Sequence, residues 1–235
     1  MAFETPEQVE AYDRWYTTPL GQWADCLEKQ AVFELLPPLN GLRILEAGCG
    51  TGSFTLDLAA QGARVVGMDR SAAMLSRAGT KVRGGPEVTA WVQGDLGQLP
   101  FPAGSFAGAV AILSLDFMAY REAALWELAR VLRPGGFLVI GVLNRFSLWT
   151  LKRVVRSWFR PSLWKEVNFL EARDLIGLLQ QTGAFQQFRW RRAIYFPPVI
   201  FPGWRRLIPS WERLGALLYP GAAAFLALSA WKRPG

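Results

Sequence analysis

One stretch constrains this chain more than any other: Arg43-Ile44-Leu45-Glu46-Ala47-Gly48-Cys49-Gly50-Thr51-Gly52-Ser53-Phe54. Ile44-Leu45 is a short apolar run of the kind that forms a buried parallel strand. Gly48, Gly50 and Gly52 then interrupt it at alternate positions. Glycine lets the chain turn sharply and bring bare backbone against a ligand. Beyond the turn, Phe54 and Leu58, with Leu56 between them, suit a helix packed on a sheet. Strand, glycine turn and helix N-terminus together make a nucleotide pocket at the carboxyl end of a parallel sheet. A dinucleotide fold requires G-x-G-x-x-G. Here Ser53 stands three residues after Gly50 and the third glycine comes at 52. Glu46, two residues before the first glycine, puts a carboxylate in the mouth of the pocket, which suits a cationic ligand and disfavours a pyrophosphate. The spacing therefore speaks against a nicotinamide-dependent oxidoreductase, while a plain tight loop is the other reading of the glycines.

Further stretches fall in the order of an α/β fold. Val65-Val66-Gly67-Met68-Asp69 is a second apolar run ending in an acid, about twenty residues past the first glycine, where such folds place a ribose-binding carboxylate. Ser71 is a plausible N-cap for the helix that follows. Val88–Asp95 and Phe106–Leu113 read as third and fourth strands. Ala124–Arg133 reads as a helix, stopped by Pro134-Gly135-Gly136 before a fifth strand, Phe137–Ile140.

With E-x-G-x-G-x-G at its head, this series resembles the class I S-adenosylmethionine (SAM) dependent methyltransferases, methyltransferase type 11 group, over about residues 40 to 145. The resemblance implies a Rossmann-like α/β fold with a seven-stranded, mostly parallel sheet. Its order would be 3-2-1-4-5-7-6, with the last strand antiparallel, flanking helices and an N-terminal helical lid. It implies one domain over 1–235: a lid at 1–40, a SAM-binding core at 41–145, and a substrate-side insertion with a closing hairpin at 146–235. The cofactor would be SAM, leaving S-adenosylhomocysteine, with no metal.

The same resemblance distributes roles. Glu46 would lie near the methionine amino group, and backbone amides near Gly48, Cys49 and Gly50 would line the methionine part. Asp69 would accept from both ribose hydroxyls. Asp95 and Leu96 would hold adenine, with Arg70 and Met74 walling its face. Tyr12 and Tyr16, from the lid, would reach the ligand's carboxylate, although aromatics at helical spacing are also ordinary core. At the end of the fourth strand, Asp116 is the first candidate for a catalytic base and Tyr16 the second.

The chain contains no histidine, so any base is a carboxylate, Tyr, Cys or water. Neither Asn-Pro-Pro-Tyr nor Asp-Pro-Pro-Tyr follows the fourth strand, and no Pro-Cys nucleophile occurs. Methylation of a nucleobase, and nucleic acid as a partner, are therefore not expected. A small, apolar or aromatic acceptor is expected instead, with a macromolecular substrate or a non-catalytic SAM-binding module as alternatives. The 2 Cys, Cys26 and Cys49, read as free thiols of a reducing compartment. The acidic N-terminus does not read as a signal peptide, so a cytoplasmic protein is expected, with possible peripheral membrane contact.

That last expectation comes from residues 146–161, where Leu148, Leu151, Val154, Val155, Trp158 and Phe159 alternate with Lys152, Arg153, Arg156 and Arg160. Such an amphipathic helix can lie over the sheet or substrate mouth, or meet an anionic membrane. The net charge of +7 permits the latter. In the lid, residues 22–36 read as a helix with Glu28-Lys29 facing outward. Residues 168–179 read as a helix, Phe185–Ile194 as a strand, 204–218 as a short helix and Ala224–Trp231 as the closing strand.

Overall fold

A computed structural model describes residues 4–82, 88–159, 167–199 and 201–235. The chain opens with two helices, α1 (Pro6–Thr17) and α2 (Pro19–Phe33). Thr5 caps α1 in a reciprocal box with Gln8, and Pro6 takes the first helical position, where its missing N–H costs nothing. Thr18 ends α1 and caps α2: its hydroxyl donates to the Trp15 carbonyl at 2.7 Å and accepts from the Gly21 amide at 3.0 Å. A Cβ at residue 21 would lie 2.0 Å from the Trp15 carbonyl oxygen, so this corner needs glycine.

The sheet then alternates with helices: β1 (Arg43–Ala47), α3 (Ser53–Ala60), β2 (Arg64–Asp69), α4 (Ala72–Lys81), β3 (Val88–Gln93), β4 (Phe106–Ile112), α5 (Arg121–Val131) and β5 (Leu132–Leu143). After α6 (Leu148–Phe159) and α7 (Ala172–Gln181) come β6 (Phe185–Ala193), α8 (Trp204–Leu218) and β7 (Phe225–Lys232). The strand order is β3-β2-β1-β4-β5-β7-β6, with β7 antiparallel to both neighbours and the other pairings parallel. This is the Rossmann-like methyltransferase architecture anticipated above. The order reverses between β1 and β4, which opens a crevice at their carboxyl ends.

Strand alternation sorts side chains between two cores. Leu45, Leu138, Ile140 and Leu228 pack on one face with Leu125 and Leu128 of α5 and Leu175 of α7. Ile44, Val139 and Phe225 pack on the other with Val32 of α2, Leu58 of α3, Trp149 of α6 and Trp204 of α8.

Several boundaries differ from the sequence reading. Pro134-Gly135-Gly136 lies within β5, where the register jumps from Phe106↔Leu132 to Gly108↔Phe137, so the bend is absorbed as a bulge. The helix expected from Asn168 starts at Ala172, because Glu171 and Asp174 form a capping box and the Asn168 amide donates to the Asp116 carbonyl at 2.9 Å. β3 stops at Gln93, two residues before Asp95. Arg160 and Pro161, expected to end the basic helix, lie outside the described residues.

Two glycine substitutions test the packing with opposite signs. A Cβ at Gly108 would meet the Phe137 ring at 2.1 Å, so Gly108→Ala should cost about 1–3 kcal/mol in urea denaturation. Gly79, exposed on α4, has nothing within 4 Å, and Gly79→Ala should gain about 0.5–1 kcal/mol from helix propensity.

Candidate active site

The turn after β1 is tied to the end of β2. The amides of Gly48 and Cys49 both donate to the Met68 carbonyl, at 2.7 and 2.9 Å. The Gly50 amide donates to Asp69 Oδ2 at 2.8 Å, while Asp69 Oδ1 accepts from the Ser71 amide at 2.9 Å. The three amides expected to face a ligand are thus engaged within the protein, because the turn is too tight to stand without them. At Gly48, φ is +82° and a Cβ would lie 2.3 Å from that of Ser114, so β4's following turn presses directly on the bend.

The two lid helices cross this turn and are pinned on both sides. On α1, Asp13 accepts from Thr51 Oγ1 at 2.7 Å, from Arg77 Nε at 2.7 Å and from Lys81 Nζ at 2.9 Å. Lys81 also donates to Thr51 at 2.8 Å. Burial alone would raise the Asp13 carboxyl, but these donors outweigh it and hold it below its ordinary value. On α2, Lys29 pairs with Asp25 and with Asp57 of α3, each at 2.8 Å.

Between lid and sheet lies a cavity reached by Tyr12, Tyr16, Glu28, Glu46, Gly48 and Cys49, with Val32, Phe54, Ile112 and Leu113 as its apolar walls. The Tyr12 and Tyr16 hydroxyls are 3.0 Å apart and their rings meet edge-on at 5.1 Å. Burial raises both phenols well above their ordinary value, so they are protonated donors at neutral pH. Glu46 is 3% exposed and accepts from the Thr55 hydroxyl. Burial pushes its carboxyl up to about 8, against the Thr55 hydrogen bond and helped by Asp69 and Asp57. Glu28 is likewise pushed up to about 8, by burial first, with Arg153 opposing and Asp25 and Asp116 adding.

Glu28 and Lys29 therefore face inward, contrary to the sequence reading. Asp25, Glu28, Lys29 and Val32 stand at i, i+3, i+4 and i+7, a charged stripe at helical spacing. The signal is present in the spacing, but charge on a helix face reads by default as solvated. Asp13, Thr51 and Lys81 had no motif of their own.

The remaining candidates sit around the cavity and not in its lining. Asp116 is wholly buried; its Oδ1 accepts from the Leu143 amide at 3.1 Å, and burial pushes it up to about 7. Met74 and Leu96 are buried. Asp95 is exposed, with Oδ1 accepting from the Gly97 amide at 2.7 Å. Arg70 is exposed and its carbonyl accepts from the Gln93 side chain at 3.0 Å. The Gly94 amide donates to the Asp69 carbonyl at 3.1 Å, which joins the ends of β2 and β3.

Comparison with known proteins decides what this crevice belongs to. A family described as a methyltransferase domain matches residues 45–140. Over that segment the chain is similar to the SAM-dependent methyltransferases. A malonyl-[acyl-carrier protein] O-methyltransferase of Erwinia pyrifoliae is 35% identical over 129 residues, 55% of this chain and 47% of the relative. This chain thus spans about half the length of that curated relative. A demethylmenaquinone methyltransferase of Tropheryma whipplei is 29% identical over 203 residues, 78% of this chain and 82% of that one. A crystal structure from Thermotoga maritima, described as a SAM-dependent methyltransferase and possible histamine N-methyltransferase, superposes with a TM-score of 0.75. It covers 97% of each chain at 24% identity, a likeness of fold.

The residues of this crevice fit SAM. Glu46 is a carboxyl that burial pushes up to about 8, and a buried carboxyl of this kind would be stabilised in its charged form by a cation such as an ammonium. Gly50 has φ +53°, and a Cβ there would stand in ordinary contact with the Tyr12 hydroxyl at 3.8 Å, so the turn runs directly beneath the phenol.

Two measurements follow. The folded protein keeps a proton on Glu46 between its ordinary value of 4.5 and about 8, and an ammonium beside it should expel that proton. SAM calorimetry near pH 7 in buffers of different ionisation heat should show more proton release for wild type than for Glu46→Gln; equal release would separate Glu46 from the ligand. Asp13→Ala should cost about 1–3 kcal/mol at pH 7. Because the folded carboxyl is held low, that stabilisation is complete above the ordinary value and lost as pH falls through the lowered one. Denaturation curves of the two proteins should converge at acid pH.

Proposed function

We propose that the protein transfers the methyl group of SAM to a small apolar or aromatic acceptor, leaving S-adenosylhomocysteine. One observation carries this reading: a single cavity is lined by the Glu46 carboxyl and the glycine turn together with apolar walls and Glu28. When bound, SAM supplies a methyl group on a positively charged sulfur. Glu46 would take the ammonium charge, with Gly48, Cys49 and Gly50 giving the backbone's close approach, while Tyr12 and Tyr16 donate to the carboxylate. Asp69 would accept from the ribose hydroxyls with lone pairs left over from the Gly50 and Ser71 amides. Asp95 and Leu96 would hold adenine, with Arg70 and Met74 beside it.

The chain's contribution to rate is alignment and exclusion of water, and positioning of this kind can supply ~7–11 kcal/mol. Tyr16, a phenol protonated at neutral pH, acts as a donor. Glu28 faces the cavity and holds a proton to about pH 8; once deprotonated it is a stronger base than an ordinary carboxylate and would take the acceptor's proton. Asp116, behind the wall, acts on Glu28 through its charge. The acceptor would enter beside α6, whose contact with an anionic membrane makes the protein peripheral there. A second reading, a macromolecular acceptor, draws on the +7 net charge.

Titration with SAM against NAD(H) separates the methyltransferase from an oxidoreductase, and only SAM should give heat. A mass-spectrometric metabolite screen should then find a gain of one methyl on a small molecule. Salt-sensitive binding of RNA or an acidic protein would move the assignment to the second reading. In turnover, the rate should rise with pH toward about 8. Glu28→Gln should flatten that limb with SAM affinity unchanged, and Asp116→Asn should shift it downward by removing a like charge. An unshifted limb in both variants would dismiss these roles.

A further inference from the structure

α6 shows apolar side chains to solvent as well as to the core. Its inward face carries Trp149, Thr150, Arg153 and Ser157, and Trp149, Thr150 and Ser157 are buried. Its outward face carries Leu148, Leu151, Val155, Trp158 and Phe159; Trp158 is 71% and Phe159 79% exposed. At 100° per residue these five fall within an arc of about 100°, with Lys152 and Arg156 at one edge. α8 repeats the pattern: Trp204 and Ile208 are buried, while Leu207, Leu214, Leu217 and Leu218 are exposed, with Tyr219 70% exposed just beyond. Arg206 and Arg213 are exposed on the same helix.

The two helices form one unit. Phe196 lies between them, with its ring 5.5 Å from Trp149 and 6.1 Å from Trp204, and its carbonyl accepts from Trp149 Nε1 at 2.7 Å. Leu148 of α6 and Gly215 and Tyr219 at the end of α8 line one shallow depression. Trp15 of α1 packs edge-on against Trp149 at 6.2 Å, so this unit also touches α1.

We infer that α6 and α8 together form a two-helix platform that docks on the surface of an anionic lipid bilayer. Tryptophan, phenylalanine and tyrosine beside arginine are the chemistry of the membrane interface, where rings sit at headgroup depth and guanidinium groups meet lipid phosphates. Among the described residues no helix is long and apolar enough to cross a membrane, which fits helices lying in the plane. A second copy of the chain would bring Arg156, Arg206 and Arg213 against their own kind, so charge selects the bilayer. This rests on the peripheral reading of α6 and extends it to α8.

The test is co-sedimentation of the purified protein with phosphatidylglycerol/phosphatidylcholine vesicles and with phosphatidylcholine alone. Binding should favour the anionic vesicles and weaken with salt. Trp158→Ser with Phe159→Ser should reduce partitioning about tenfold or more, and so should Arg206→Gln with Arg213→Gln. All four residues are exposed, so thermal unfolding should be unchanged. If the α8 variant binds like wild type while the α6 variant does not, the platform is wrong and only α6 touches lipid. If no vesicle is bound and Trp158→Ser with Phe159→Ser converts a dimer to a monomer, the face is an interface between copies and the inference falls. SAM calorimetry without vesicles is read separately, so loss of SAM binding and loss of vesicle binding identify different failures.

Discussion

The site is held by one carboxylate that joins pieces the chain order keeps apart. Asp69 ends β2, yet its two oxygens fix the Gly50 amide of the preceding turn and the Ser71 amide that opens α4. A buried backbone N–H left without an acceptor would cost about 1–3 kcal/mol, so the turn depends on this carboxylate to keep its shape. The Met68 carbonyl, one residue earlier, takes the amides of Gly48 and Cys49. The end of β2 is thus the mould in which the glycine bend is cast.

Much of the fold was legible because its signals are local and periodic. Apolar runs such as Ile44-Leu45 and Val65-Val66 had to be parallel strands buried on both faces, and caps such as Thr5 and Ser71 mark helix starts by their own hydrogen bonds. The strand order was not local. It came from a resemblance, since nothing in the spacing tells β7 to pair between β5 and β6. Boundaries failed where long-range partners intervened: Asn168 reads as helical alone, but its amide is spent on Asp116.

The site was legible only where sequence neighbours make it. The glycine turn, Glu46 and Asp69 announce themselves through spacing. Asp13, Lys81 and Lys29 do not, because their meaning depends on α1 and α2 crossing a turn some forty residues away. The orientation of α6 was equally hidden. Amphipathic periodicity reveals that a helix has two faces, and only the packing of Trp149 against Phe196 reveals which one looks out.

The shared hydroxyl at Thr18 has a mechanical consequence. Because a single side chain closes one lid helix and starts the next, and residue 21 admits no Cβ, the joint between α1 and α2 behaves as a stiff elbow. Because α2 is anchored in the sheet's core through Val32, that elbow carries the anchorage over to α1, and the cover above the crevice is held from beneath as well as by its own ion pairs.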